Sequence, residues 1–265
     1  MFLLMINWYL GTMGFAYKAW RGLFYPPEMA SQDYLAAYSR IFNAVELDST
    51  FYGVPRLELV SRWSEQVPAE FKFCPKTPKT ITHQFQLSQA VHDMLNFLKV
   101  IRRFGDKLGP VLLQWPPDFT NQQSSDLEAF LKALPTDIRY ACEFRHDTWY
   151  APETSDLLTQ HRVAWVSVDY VHSPRHIDPT TDFLYIRWLG QHGRFERGRG
   201  ARLEVSAQLE WWREAIKPHL NQIPAIYGFF NDDFAGHGPD TCNQFKEIVG
   251  LPAQYPDFPR QSTLF

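Results

Sequence analysis

The chain has 265 residues, 45% hydrophobic and 21% charged, with a formal net charge of −3 at pH 7. That composition is globular and rich enough for one large core, which excludes a disordered or fibrous chain. A negative total excludes coating of nucleic acid by overall charge, so any such contact needs a local basic patch.

The opening "MFLLMI" is apolar but short and lacks a basic flank, so it reads as the lead-in to a first strand rather than a signal peptide or membrane span. Eight short apolar, β-rich runs then follow in order: "INWYLG", "NAVEL", "FKFC", "VLLQ", "YACEF", "AWVSV", "FLYIR" and "AIYGFF". Segments of helical period separate most of them. In "SQDYLAAYSRIF" the side chains Tyr34, Leu35, Tyr38, Ile41 and Phe42 share one face. In "SSDLEAFLKALP" Ser125 and Glu128 have capping-box spacing, Leu127, Phe130, Leu131 and Leu134 form the stripe, and Pro135 stops it. Further helices are expected over 57–66, 91–104, 153–161, 206–219 and 240–249. Between the sixth and seventh runs, "DYVHSPRHIDPTTD" has two prolines and no helical period, so one outer helix is expected to be reduced or missing.

Strands alternating with helices point to a parallel sheet, and eight runs in succession favour closure over an open doubly wound sheet. The expected fold is a single α/β domain, a (β/α)₈ TIM-barrel-like unit over 1–251, followed by an extended Pro-rich tail over 252–265. Cys74, Cys142 and Cys242 form no C-x-x-C pair and read as buried free thiols of a cytoplasmic protein.

Polar residues gather where these strands end, which is where a barrel carries its site. Glu46 and Asp48 close the second strand, Lys76 follows the third, and Gln114 ends the fourth. Glu143, Arg145 and His146 end the fifth, Ser167 and Asp169 the sixth, Arg187 the seventh, and Asn231 and Asp232 the eighth. Residues two apart on a strand share a face, so Glu46 with Asp48, and Glu143 with Arg145, point together. Such charges either close the barrel mouth as a neutral ion-pair plug or line a pocket. The neighbouring rings Phe51, Tyr52, Trp115 and Trp149 favour a pocket.

These stretches together resemble the YecE-like family, domain of unknown function 72. The likeness starts at "GTMGFAYKAWRGLFYPP" and runs through "FNAVELDSTFYGVP", "FKFCPKTPKTITH", "LGPVLLQWPPDF", "RYACEFRHDTWY" and "DFLYIRWLG" to "YGFFNDDFAGHGP". It implies a TIM-barrel-like fold of a bacterial protein and no particular reaction. Where the family pattern has Ser after the first Gly-Thr, this chain has Met13, so no hydroxyl role rests there.

The favoured functional reading is a hydrolase or isomerase acting on a small anionic substrate, phosphorylated or nucleotide-like. Lys76, Arg145 and Arg187 would hold the anion, with Asn231, Tyr52 and Trp149 completing the binding surface. Glu46, Glu143, His146 and Asp169 would carry acid–base chemistry. The loop "GQHGRFERGRGAR", with Arg194, Arg197, Arg199 and Arg202, adds basic charge after the seventh strand. An alternative is a metal-dependent phosphodiesterase resembling endonuclease IV, with Glu46, His83, Glu143, Asp169 and His237 as ligands of a divalent metal. The absence of H-x-H or H-E-x-x-H spacing, and the nearby Lys and Arg, count against it. Glycoside hydrolysis by Glu46 and Glu143 over Trp115 and Trp149 is a third reading. Finally, the terminal "QSTLF" resembles the pentapeptide by which bacterial proteins dock on the sliding clamp, through Gln261, Leu264 and Phe265.

Overall fold

The computed structural model describes residues 6–83, 87–191, 193, 195 and 203–258. Its strands are β1 (Asn7–Met13), β2 (Ala44–Leu47), β3 (Lys72–Pro75), β4 (Val111–Gln114), β5 (Tyr140–Glu143), β6 (Val163–Trp165), β7 (Ser167–Tyr170), β8 (Phe183–Gly190) and β9 (Ala225–Phe230). Every pairing is parallel. One sheet runs β3-β2-β1-β9-β8-β7 and the other β4-β5-β6.

Two seams close these pieces into a barrel. Only Val166 separates β6 from β7, and its N–H donates to Cys142 O at 2.9 Å, so the two halves form one stave. Between β3 and β4 the bridges Phe73–Leu108 and Lys76–Leu112 complete the ring. Eight staves result, one for each apolar run in the sequence. Nothing in the loop between β7 and β8 is helical, as its prolines imply.

The helices are α1 (Tyr34–Tyr38), α2 (Leu57–Glu65), α3 (Lys79–Thr82), α4 (Leu87–Ile101), α5 (Ser124–Lys132), α6 (Pro152–Gln160), α7 (Ser206–Ile216), α8 (Asp232–Ala235) and α9 (Gly238–Ile248). Two expectations need correction. Helix α1 stops at Tyr38, whose hydroxyl donates to Ala44 O at 3.0 Å and accepts from Thr12 N–H at 2.8 Å, pinning that end to β1 and β2. The capping box lies at Thr120 and Gln123, ahead of a short 3₁₀ turn leading into α5, not at Ser125 and Glu128.

Strand alternation divides the core in two. The barrel interior mixes small side chains, among them Ala44, Cys74, Ala141, Ala164 and Ala225, with the rings Phe183, Tyr185, Tyr227 and Phe229. The alternate positions, such as Phe73, Leu113, Trp165 and Trp188, face the helices. Burying each side chain of Leu or Phe size contributes roughly 1.5–3 kcal/mol. All three cysteines are buried and unpaired by disulfides. After α9, residues 252–258 carry no regular element and lie along that helix, with Asn243 Nδ2 donating to Gln254 O and Tyr255 Oη to Glu247. Among the described residues no helix is long and apolar enough to cross a membrane.

Candidate functional site

The alternation that sends Ala44, Ala141 and Tyr185 inward sends Glu46, Glu143 and Arg187 inward one step further along β2, β5 and β8. Their meeting is therefore dictated by strand register. Arg187 donates from Nε to Glu46 Oε2 at 2.9 Å and from Nη2 to Glu46 Oε1 at 2.7 Å. Its Nη1 donates to Glu143 Oε2 at 2.5 Å. Tyr185 Oη donates to Glu46 Oε2 at 2.8 Å. Met13 packs here too, its thioether taking contacts from Arg187 Nη2 and Asn231 Nδ2.

Both carboxylates are fully buried. Burial pushes the Glu46 carboxyl up to about 7, against the pull of Arg187. Burial works on Glu143 the same way, but Arg145 and Arg187 together outweigh it and hold that carboxyl below the usual range. Glu46 meets one guanidinium and the opposing charge of Asp48, whereas Glu143 meets two guanidiniums and Lys76. Arg187 loses hydration, yet the two carboxylates more than compensate and fix its charge.

Above this layer opens a cleft of about 1000 Å³. Lys76, Arg145, Arg187, Asn231 and Tyr52 line it, as does Asp48. Arg145 pairs with Glu143 Oε1 at 2.5 Å and lies over the Tyr170 ring, 4.5 Å from its centroid. Lys76 Nζ lies 4.0 Å from the Phe51 centroid, and among the described residues no carboxylate is within 4 Å of it. Burial and then Arg187 lower its pKa, with Asp48 and the two glutamates opposing. Among the described residues Asp48 makes one ion pair, with Arg187 Nη2 at 3.9 Å. The ion-pair plug and the pocket thus coexist. Glu46, Arg187 and Glu143 seal the barrel, and the upper side of that seal is the cleft floor.

Several expected residues stand elsewhere. Asp169 faces outward, because Val168 and Tyr170 take the inward positions, and its carboxylate accepts from Trp212 Nε1 at 2.7 Å and pairs with Arg175 at 3.1 Å. His146 does not line the cleft; its Nδ1 accepts from Thr148 N–H and caps the 3₁₀ turn of Asp147–Trp149. Trp149 is 1% exposed, stacked between Phe119 and Phe144, with Nε1 donating to Phe119 O at 2.8 Å. Trp115 is equally buried, stacked on Phe119, so neither tryptophan offers a platform to a sugar. Glu46 and Glu143 lie beneath the cleft floor rather than in its wall.

The candidate metal ligands scatter as well. A guanidinium lies between Glu46 and Glu143, Asp169 faces α7, and His83 packs edge-on against Phe51. Among the described residues no three His, Cys, Asp or Glu side chains are grouped to hold a metal ion, so the donor set does not fit one. The arginines 194, 197, 199 and 202, and the terminal Gln261, Leu264 and Phe265, lie outside the described residues.

Asp232 and His237, which the sequence placed after the last strand and among the candidate metal ligands, line the cleft together with Trp20, which sequence reasoning passed over. Asp232 accepts from Trp20 Nε1 at 2.9 Å and from Gly238 N–H at 2.7 Å, and burial raises its carboxyl. His237, 3% exposed, packs edge-on against Trp20. The available signal for Trp20 was its place in the aromatic-rich stretch "GFAYKAWRGLFY" that follows the first strand.

Comparison with known proteins follows this geometry. A family model described as "Protein of unknown function DUF72" matches residues 9–263. The chain is 37% identical over 117 residues to the UPF0759 protein YecE of Escherichia coli K12, covering 44% of this chain and 43% of that relative's length. It is 26% identical over 269 residues to the UPF0759 protein YunF of Bacillus subtilis, covering 91% of this chain and 95% of that one. Among solved structures, a DUF72 family protein of Thermotoga maritima superposes with a TM-score of 0.76 at 25% identity, over 92% of this chain and 99% of the other. The structure of SacUVDE superposes with a TM-score of 0.56 at 8% identity, over 92% and 98%, a likeness of fold alone.

Proposed function

Since the chain belongs to the DUF72 family, whose description carries no reaction, we propose from its cleft that it is an acid–base enzyme acting on an anionic substrate, phosphorylated or nucleotide-like. The observation that carries the reading is Lys76, a cation on the cleft floor with no carboxylate within 4 Å among the described residues. An ammonium held at a cleft floor over a ring, with no carboxylate in contact, lacks the ion pair that normally compensates its desolvation. A bound anion would supply it.

In this reading Lys76 and Arg145 bind the anion. Glu143 fixes one edge of Arg145 and Tyr170 one face, which leaves the guanidinium oriented before the ligand arrives. Glu46 and Glu143 are positioning residues that hold Arg187. Asp48, at the cleft surface and held by no hydrogen bond among the described residues, takes the acid–base role in place of the buried glutamates.

A thermal-shift screen of phosphate, sugar phosphates and nucleotides tests this. A ligand at 100 times its dissociation constant stabilises the fold by about 2.7 kcal/mol. Stabilisation of the wild type and none of Lys76→Ala is the expected result. Asp48→Asn should keep the stabilisation and lose turnover of the same compound. Equal stabilisation of wild type and Lys76→Ala contradicts the reading.

A further inference from the structure

We infer that Tyr52 is the platform of a second subsite on the cleft lip, which stacks a flat heteroaromatic ring such as a nucleobase. The inference rests on the anion-binding reading and names the rest of that ligand: a ring joined to the anionic group that Lys76 holds.

Tyr52 lines the cleft yet is 79% exposed, so its ring is largely uncovered. Nothing in the core depends on it. Its mounting is nonetheless firm. It ends the 3₁₀ turn Asp48–Tyr52, and Thr50 Oγ1 in that turn lies 2.7 Å from Leu47 O and 2.6 Å from Lys76 O. The turn is thereby tied to the backbone of the residue that supplies the cation. Phe51 meets the Tyr52 ring edge-on, with centroids 5.6 Å apart and planes at 83°. Phe51 is itself held between Lys76 Nζ and the His83 ring. Cation and platform are thus two ends of one rigid unit.

Space and chemistry around the ring agree. A Cβ placed on Gly53 would meet no atom within 4 Å, so the volume beside Tyr52 is open. Val54 and Leu57, 49% and 46% exposed, follow Tyr52 in the chain as further apolar surface. Single exposed apolar side chains are ordinary on protein surfaces. Here three fall within six residues, and the first of them, Tyr52, lines the same cleft as Lys76. The cleft, at about 1000 Å³, is at the upper end of the range that takes drug-sized ligands and far exceeds an inorganic anion. Aromatic stacking suits a base because every base has a π-face, and it adds affinity without demanding a particular edge pattern.

The test titrates the full chain with adenosine 5′-monophosphate and with ribose 5-phosphate, which lacks the ring. Wild type should bind the nucleotide about tenfold or more tightly than the sugar phosphate, the value of one stacked base. Tyr52→Ala should remove that advantage and leave ribose 5-phosphate affinity unchanged, while Tyr52→Phe keeps it. Lys76→Ala should weaken both ligands alike. Equal affinity for the two ligands in the wild type, or an advantage that survives Tyr52→Ala, overturns the stacking subsite and leaves the anion site standing. Binding of neither ligand overturns both.

Discussion

Glu46 and Glu143 are chemically the same side chain, buried to the same depth, and they respond oppositely to folding. Glu46 rises from its ordinary 4.5 to about 7 because burial outweighs its single guanidinium. Glu143 falls because two guanidiniums outweigh burial. The signs of the resulting pH dependence differ. A carboxyl raised on folding binds its proton more tightly in the native state, so stability falls as pH rises from about 4.5 to 7, by about 3 kcal/mol in total. A depressed carboxyl contributes above its unfolded value and loses that contribution as pH falls. Urea unfolding of wild type and Glu46→Gln at pH 5, 6, 7 and 8 separates the two. The variant should gain on the wild type as pH rises toward 7 and then hold level. A difference constant across that range contradicts the account. The sequence showed charge at these positions but not its depth, because "AVEL" and "YACE" do not say how many cations each acid meets.

Strand parity decided which polar residues reached the site. In "AWVSVDY" both faces are apolar over Ala164, Trp165 and Val166, so no alternation marks the inward side, and Asp169 was assigned to the pocket although it faces α7. In "FLYIRWLG" the inward set Phe183, Tyr185, Arg187 and Leu189 carries the ring and the charge that meet Glu46. The helices were legible because their apolar stripes follow a 3.6 period. Their ends were not, since α1 is cut short by tertiary hydrogen bonds of Tyr38 and the entry to α5 is capped from Thr120. At the end of β8, Gly190 has φ +67°, and a Cβ there would lie 2.2 Å from Asp233 O. That close approach seats α8 and the Asn231–Asp233 lip against the barrel. Gly190→Ala should lower the unfolding free energy by roughly 1–3 kcal/mol or more, since left-handed backbone strain adds to a clash with main chain. An unchanged urea midpoint would show that β8 and α8 part easily.

At the scale of the molecule, the barrel was written in the count and order of the apolar runs, and the loop of "SPRHIDP" marked the stave that lacks an outer helix. Closure fixed where a site had to be, at the C-terminal strand ends, before any side chain was placed. What closure did not reveal was the layering: a sealed Glu46–Arg187–Glu143 plane below, and a cleft with Lys76, Arg145 and Asp48 above. That layering is the central claim, because it assigns the buried charges to support and the cleft charges to ligand. Calorimetric titration of inorganic pyrophosphate into wild type and Lys76→Ala tests it most directly. Saturable binding at one site, weakened about 10- to 100-fold by loss of one charge-assisted hydrogen bond, with the free variant melting no lower than the wild type, is the predicted result. Pyrophosphate binding of equal strength in both proteins, or binding in neither, would contradict it.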